Sequence, residues 1–187
     1  MVPIKDVKTY ITAAGILRRR VPELRALVLG PTDEDPAYFE QCRTLAQQLG
    51  LEGCIEFTGN VAVIDWLPSI HVVVLTSLSE AQPLVLLEAG AAGVPCVTTH
   101  VGSCAEILNG RPDENPPFGP GGLITGLVAP AEVSEAVREL LTDQDKRIAY
   151  GENLRARVKA DYSNQQALQS YQQLYEDFRM LPARTKK

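Results

Sequence analysis

The chain has 187 residues, 45% of them apolar and 22% charged, and a net charge of −5. That length and composition suit one globular domain with a sizeable core. The acidic balance, with a pI of about 5.1, and the lack of a basic face argue against a nucleic-acid binder.

No apolar run reaches the ~20 residues of a membrane helix; the stretch Leu84-Val85-Leu86-Leu87 stops at Glu88. No charged segment followed by an apolar one marks a leader, so the expected location is cytoplasmic. Cysteines at 42, 54, 96 and 104 show no Cys-x-x-Cys spacing and no clustered histidines. Free, buried thiols are the expectation, with no metal site. Arg18-Arg19-Arg20 reads as a solvated helix end, and residues 184–187 as a frayed terminus.

In chain order, Val7, Ile11, Ala14 and Leu17 share one helix face. Residues 24–30 form an apolar strand. Asp35 before Pro36 fits an N-cap with proline in the first turn, and Phe39, Cys42, Ala46 and Leu49 line the helix that follows. Gly50 supplies its left-handed end. Further strands are expected at 54–58, 70–76, 94–99 and 122–128. Ser103-x-x-Glu106, Thr142-x-x-Asp145 and Ser163-x-x-Gln166 resemble capping boxes. Residues 109–122 hold four prolines and four glycines and read as a surface loop. Val133, Ala136, Val137, Leu140 and Leu141 make another helix face. Residues of about 143–181 are expected to be helical, with Leu168, Tyr171, Tyr175 and Phe178 as a core or docking stripe. Apolar strands alternating with helices predict a parallel Rossmann-like α/β sheet covered on both faces, as a single domain over 1–187.

The informative segment is Ser79-Glu80-Ala81-Gln82-Pro83-Leu84-Val85-Leu86-Leu87-Glu88. A strand, a tight loop and a helix opening at Pro83 would present free N–H groups and a positive dipole end to an anion. The site would lie at the carboxyl edge of the sheet. Glu80, beside such an anion, needs other donors, and sugar hydroxyls supply them. Glu88 sits among apolar helix residues, where an unpaired buried charge is costly, and ribose hydroxyls would satisfy it. Glu88 is ~7.5 Å along the helix axis from Pro83, so the two acids can reach opposite ends of a sugar–diphosphate–ribose chain. Asp33-Glu34-Asp35 imitates a metal motif but leads into Pro36, which favours a cap. His71 and His100 have no partner nearby in sequence and read as structural.

Glu80 and Glu88 in this setting resemble the Glu-x7-Glu signature of family 4 retaining glycosyltransferases of the two-domain GT-B fold. Val2-Pro3-Ile4-Lys5-Asp6-Val7-Lys8, Gly30-Pro31-Thr32-Asp33-Glu34-Asp35-Pro36, Phe57-Thr58-Gly59-Asn60-Val61, Leu75-Thr76-Ser77-Leu78-Ser79-Glu80 and Val101-Gly102-Ser103-Cys104 with Glu106 resemble PelF-type enzymes. The resemblance implies a C-terminal donor-binding domain, with Lys5 on the donor diphosphate and Glu80 on the sugar. Gln82, Pro83, Leu84 and Val85 would cradle phosphate and sugar, Glu88 the ribose, and Gly59, Asn60 and Val61 would border the base. It further implies hexose transfer from a nucleoside diphosphate sugar, UDP-glucose first, to a glycan in exopolysaccharide synthesis, without a metal cofactor. The acceptor would meet an N-terminal domain, and the complete protein would associate peripherally with a membrane synthase complex. A catalytically silent nucleotide-sugar-binding module and a sugar-nucleotide epimerase-like domain are the alternatives. Ala81 stands where the family has glycine, which would strain a left-handed backbone.

In the usual strand order 3-2-1-4-5-6 the first strand is central. This chain begins after that strand's place. Strands 24–30 and 70–76 are therefore expected either to pair directly or to flank an empty slot, and Met1 is expected to mark a truncation.

Overall fold

The computed structural model describes residues 1–180. A 3-10 turn at Pro3–Lys5 leads into α1 (Val7–Arg18), then β1 (Ala26–Leu29), α2 (Pro36–Gln48) and β2 (Ile55–Gly59). The short α3 (Val63–Trp66) and a 3-10 turn at Leu67–Ser69 precede β3 (Val73–Leu75), α4 (Leu84–Ala92), β4 (Cys96–Thr99), α5 (Cys104–Asn109) and β5 (Gly122–Thr125). Three helices close the described chain: α6 (Pro130–Thr142), α7 (Gln144–Asp161) and α8 (Asn164–Met180).

All five expected strands form, four of them shorter than their apolar runs and β2 of the expected length but one residue later, and every pairing is parallel. Side chains alternate across a strand. On β4, Cys96 enters a cluster with Leu86, Ala89, Ile107 and Leu154, while Val97 enters one with Leu17, Val133, Val137 and Leu140. Helices thus cover both faces, and β4 is buried at all four residues. The α/β class read from the alternation is the observed one.

The strands form two groups. β1 pairs with β2, and β3, β4 and β5 pair in that order. Among the described residues no backbone bond joins β1 to β3. Of the two expected outcomes at this point, the open slot is the one observed. Residues 1–5 do not fill it: Pro3–Lys5 form the 3-10 turn, with Val2 extended before it.

The caps follow local chemistry. The Asp35 carboxylate accepts from the Tyr38 N–H at 2.9 Å, with Pro36 opening α2. Gly50, at φ 65°, follows its end. Two expected capping boxes need correction. Ser103 has φ −85° and ψ 9°, outside the extended region an N-cap uses, and its hydroxyl is buried without a partner. Thr142 turns its hydroxyl back to the Arg138 carbonyl, and Asp143 caps α7 by accepting from the Lys146 N–H at 2.9 Å. The third box, at Ser163, falls where α8 begins.

All four cysteines are free and buried. The stripe Leu168, Tyr171, Tyr175 and Phe178 on α8 is exposed, not core. Residues 184–187 lie outside the described part. No described helix is long and apolar enough to cross a membrane.

Candidate functional site

The site gathers at the carboxyl ends of β1, β3 and β4. There the loops must leave the sheet, and Ser and Thr side chains at the strand ends tie them down. The Thr76 hydroxyl donates toward the carbonyls of Lys5 and Asp6, at 3.1 and 2.9 Å. The Leu78 N–H donates to the Ile4 carbonyl at 2.8 Å. These bonds fix the segment carrying Lys5 against β3. At the end of β4, the buried Thr99 hydroxyl donates to the Ser77 carbonyl at 2.6 Å.

Ser77 in turn donates its hydroxyl to Glu80 Oε1 at 2.7 Å, and Lys5 Nζ meets the same oxygen at 2.7 Å. The Glu80 side chain is 12% exposed and that of Lys5 is 47% exposed. The carboxylate is therefore oriented by two donors on one oxygen, while the ammonium keeps contact with solvent. This direct pairing was not expected from the sequence, which assigned the two residues to different parts of one ligand.

The start of α4 carries the second feature. Pro83 is its N-cap and has no side chain able to cap it. The Leu86 N–H bonds back to the Pro83 carbonyl. Leu84 and Val85, the first two residues of the helix, present its uncapped N–H groups. Pro83 thus precedes the helix, whereas the sequence reading put it inside the first turn. Lys5, Glu80, Gln82, Pro83, Leu84, Val85 and Glu88 all line one cleft of about 1190 Å3.

Two sequence expectations change here. Glu88 is exposed rather than buried. It lies four residues after Leu84, which is 67% exposed, so both project from the same face of α4 toward the cleft. The opposite face, with Leu86, Ala89 and Gly90, is the buried one. Ala81 carries no left-handed strain: the non-glycine residues with positive φ are Asp6 and Val128. Its carbonyl accepts from the Ser103 N–H at 3.0 Å.

Gly59 ends β2 and Asn60 and Val61 follow it, on the far side of β1 from the slot. None of them lines the cleft. His71 is exposed and precedes β3 rather than beginning it, and His100 is exposed past the end of β4. Asp35 is the cap of α2; among the described residues there is no group of three or more His, Cys, Asp or Glu that could hold a metal ion.

In the sequence Gly102 is only one member of a motif; the structure shows what it does. It has φ 48°, and a Cβ there would stand 2.2 Å from the Glu80 carbonyl oxygen and 2.5 Å from that of Ala81. The loop after β4 presses its backbone onto the loop that carries Glu80, and only glycine permits that approach. Ser77 and Thr99 were missed in the same way. Their one sequence signal was a hydroxyl residue at the end of each apolar strand.

A parallel α/β domain with a basic residue, a carboxylate and an uncapped helix start at the carboxyl edge of its sheet is a binding domain for an anionic small molecule. Residues 1–157 match the family described as glycosyl transferases group 1, and the chain belongs to it. It is 31% identical over 173 residues to the GDP-mannose-dependent alpha-(1-6)-phosphatidylinositol monomannoside mannosyltransferase of Mycobacterium tuberculosis (strain CDC 1551 / Oshkosh), covering 87% of this chain and 42% of that relative. Among solved structures, HepE from Anabaena in complex with UDP-glucose superposes with a TM-score of 0.80 at 22% identity, over 97% of this chain and 47% of the other. The C-terminal domain of LpcC, a glycosyl transferase group 1 family protein from Francisella tularensis, superposes with a TM-score of 0.75 at 24% identity, over 88% and 83%. The fold is that of such C-terminal domains. The chain spans less than half the length of the mannosyltransferase it matches.

Proposed function

We propose that this chain is the donor-binding part of a retaining glycosyltransferase and holds a nucleoside diphosphate hexose in the cleft between Lys5 and the start of α4. The observation that carries this reading is the convergence of Lys5, Glu80 and the uncapped N–H groups of Leu84 and Val85 on one cleft. The diphosphate would sit on those amides and on Lys5, which stabilise the charge that builds on the departing diphosphate. Glu80, fixed by Ser77, would accept hydrogen bonds from sugar hydroxyls. Glu88, on the same wall of the cleft, would accept from the ribose. Gly59, Asn60 and Val61 would border the base only if the bound nucleotide reaches across β1.

UDP-glucose is the donor suggested by the PelF-type motifs, which also suggest a glycan acceptor in exopolysaccharide synthesis and peripheral association with a membrane synthase. The mannosyltransferase relative, named as GDP-mannose-dependent, favours a second reading with that donor. Transfer itself would require the remainder of a two-domain protein, so this chain is expected to bind donor without turning it over. No metal is part of the reading.

Calorimetric titration of UDP, uridine, UDP-glucose and GDP-mannose tests these roles. Lys5→Ala is expected to weaken UDP by ~1–3 kcal/mol, the scale of a hydrogen bond to a charged group, and to leave uridine unchanged. Glu88→Gln should weaken UDP and UDP-glucose alike. Glu80→Gln should lower UDP-glucose affinity relative to UDP, and it also frees Lys5 for phosphate, so UDP itself should bind no more weakly. Equal losses for uridine and UDP in Lys5→Ala would remove Lys5 from the diphosphate. GDP-mannose binding well ahead of UDP-glucose would select the second donor.

A further inference from the structure

Gly59, Asn60 and Val61 do not line the cleft that holds Lys5, Leu84 and Glu88, but Trp66 does. Trp66 is the only tryptophan of the chain, and it closes the short helix α3. Its position follows from how α3 is anchored. Leu67 is buried in one cluster with Leu86 and Ala89 of α4, and Val63 and Ile70 pack against the same cluster. The end of α3 therefore lies beside the part of α4 that carries Glu88.

Trp66 itself is not among the residues that pack in the apolar clusters. Successive side chains on a helix point about 100° apart, so the anchoring of Leu67 turns Trp66 away from that contact. The indole is left half-buried on the wall of the cleft. None of the described ring–ring or cation–ring contacts involves it. Tryptophan carries a large apolar face that stacks well on a flat partner. Here the neighbours on either side are absorbed by the core, and this one residue keeps its ring for the cleft.

Resting on the proposed donor site, we infer that Trp66 is the surface on which the donor's nucleobase stacks. The diphosphate belongs at Leu84 and Val85. Glu88 lies ~6 Å further along the α4 axis, at the ribose. In a nucleoside diphosphate the base follows the ribose. The end of α3 flanks α4 at that level, and Trp66 is its last residue and lines the cleft. Every base has a π face, so an aromatic platform holds uracil and guanine alike. Trp66 thus supplies affinity for either base and leaves the choice between them to groups that meet the base edge.

A solitary tryptophan reports on its own contacts. Its emission, excited at the red edge of the indole band where nucleotides do not absorb, is followed as UDP, GDP and inorganic pyrophosphate are titrated into the native chain. UDP and GDP should quench it saturably. Pyrophosphate carries the diphosphate without a base and should leave it unchanged. By calorimetry, Trp66→Leu should weaken UDP and GDP roughly tenfold, the scale of losing one base–aromatic stack, with pyrophosphate unaffected. Trp66→Phe retains a stacking face and should keep most of the affinity. A structural role alone would lower all three ligands together in Trp66→Leu, and that result overturns the assignment. So does native emission that stays constant at saturating UDP, or that pyrophosphate quenches as strongly. UDP binding that responds to Lys5→Ala but not to Trp66→Leu removes Trp66 from the base and keeps the donor site. Binding that responds to neither removes both.

Discussion

Replacing Gly102 with alanine is expected to lower nucleotide-sugar affinity roughly tenfold or more, ~1.4 kcal/mol, although Gly102 is itself no proposed ligand contact. The new Cβ would stand 2.2 Å from the Glu80 carbonyl and 2.5 Å from the Ala81 carbonyl. Both obstacles are backbone, so the Glu80 loop has to move. Movement there breaks the shared arrangement of Ser77, Lys5 and Glu80 Oε1. The positive φ adds a conformational cost of about 1 kcal/mol. Gly50→Ala is the matched control: its φ is 65°, but a Cβ there meets nothing within 4 Å. Both variants should lose some stability in a urea titration, and only Gly102→Ala should lose binding. Binding retained in Gly102→Ala would mean that the Glu80 loop is not part of the ligand site.

The largest expected loss of stability comes from Arg157→Met, about 3–5 kcal/mol, the cost of leaving one partner of a buried ion pair alone. Arg157 and Glu114 are 1% and 6% exposed, with Nε 2.5 Å from Oε1. The guanidinium also donates to the Leu108 carbonyl at 2.9 Å and the Gly119 carbonyl at 2.6 Å. One side chain of α7 thereby caps the end of α5 and pins the loop 110–121. Against a typical total of 5–15 kcal/mol this is a large fraction. The double variant Arg157→Met with Glu114→Leu should recover part of the loss, because the stranded carboxylate is gone. The hydrogen bond from Arg157 holds the Glu114 carboxyl below the ordinary glutamate range. A depressed carboxyl pKa contributes stability that is complete above the unfolded value, about 4.3, and is lost as pH falls through the folded value. The acid limb of the stability curve should therefore be steeper in the native chain than in the double variant. A urea loss under ~1 kcal/mol for Arg157→Met would show that the pair does not hold this loop.

Much of the fold was legible because apolar runs and helix faces repeat at periods the backbone dictates. The five strands, the main faces of α1, α2 and α6, and the Asp35 cap all followed from residues within a dozen positions of one another. Strand lengths did not, because an apolar residue past the last ladder bond looks the same in sequence as one inside it. Glu88 was misjudged for a related reason. Its chain neighbours are apolar, but exposure on a helix is decided by positions four apart, and Leu84 shares its open face. The Lys5–Glu80 pair spans 75 positions, and no periodicity reports a contact of that range. Ser103 looked like a cap because its hydroxyl and Glu106 have the right spacing. Its backbone is held instead by the Ala81 carbonyl, a tertiary contact that overrides the local preference. The slot was legible from strand order alone, since a central strand has a fixed place in a doubly wound sheet.

The central claim is that a nucleoside diphosphate sugar sits between Lys5 and the first turn of α4. Amide chemical shifts of the isotope-labelled chain, titrated with UDP-glucose and with GDP-mannose, test it residue by residue. The largest saturable changes are expected at Lys5, Leu84 and Val85, with Glu80 and Glu88 following, for whichever donor binds. Changes confined to the groove between α1 and α2 lined by Lys8, Gln41 and Gln48, or Leu84 and Val85 amides that stay still at saturation, would contradict it.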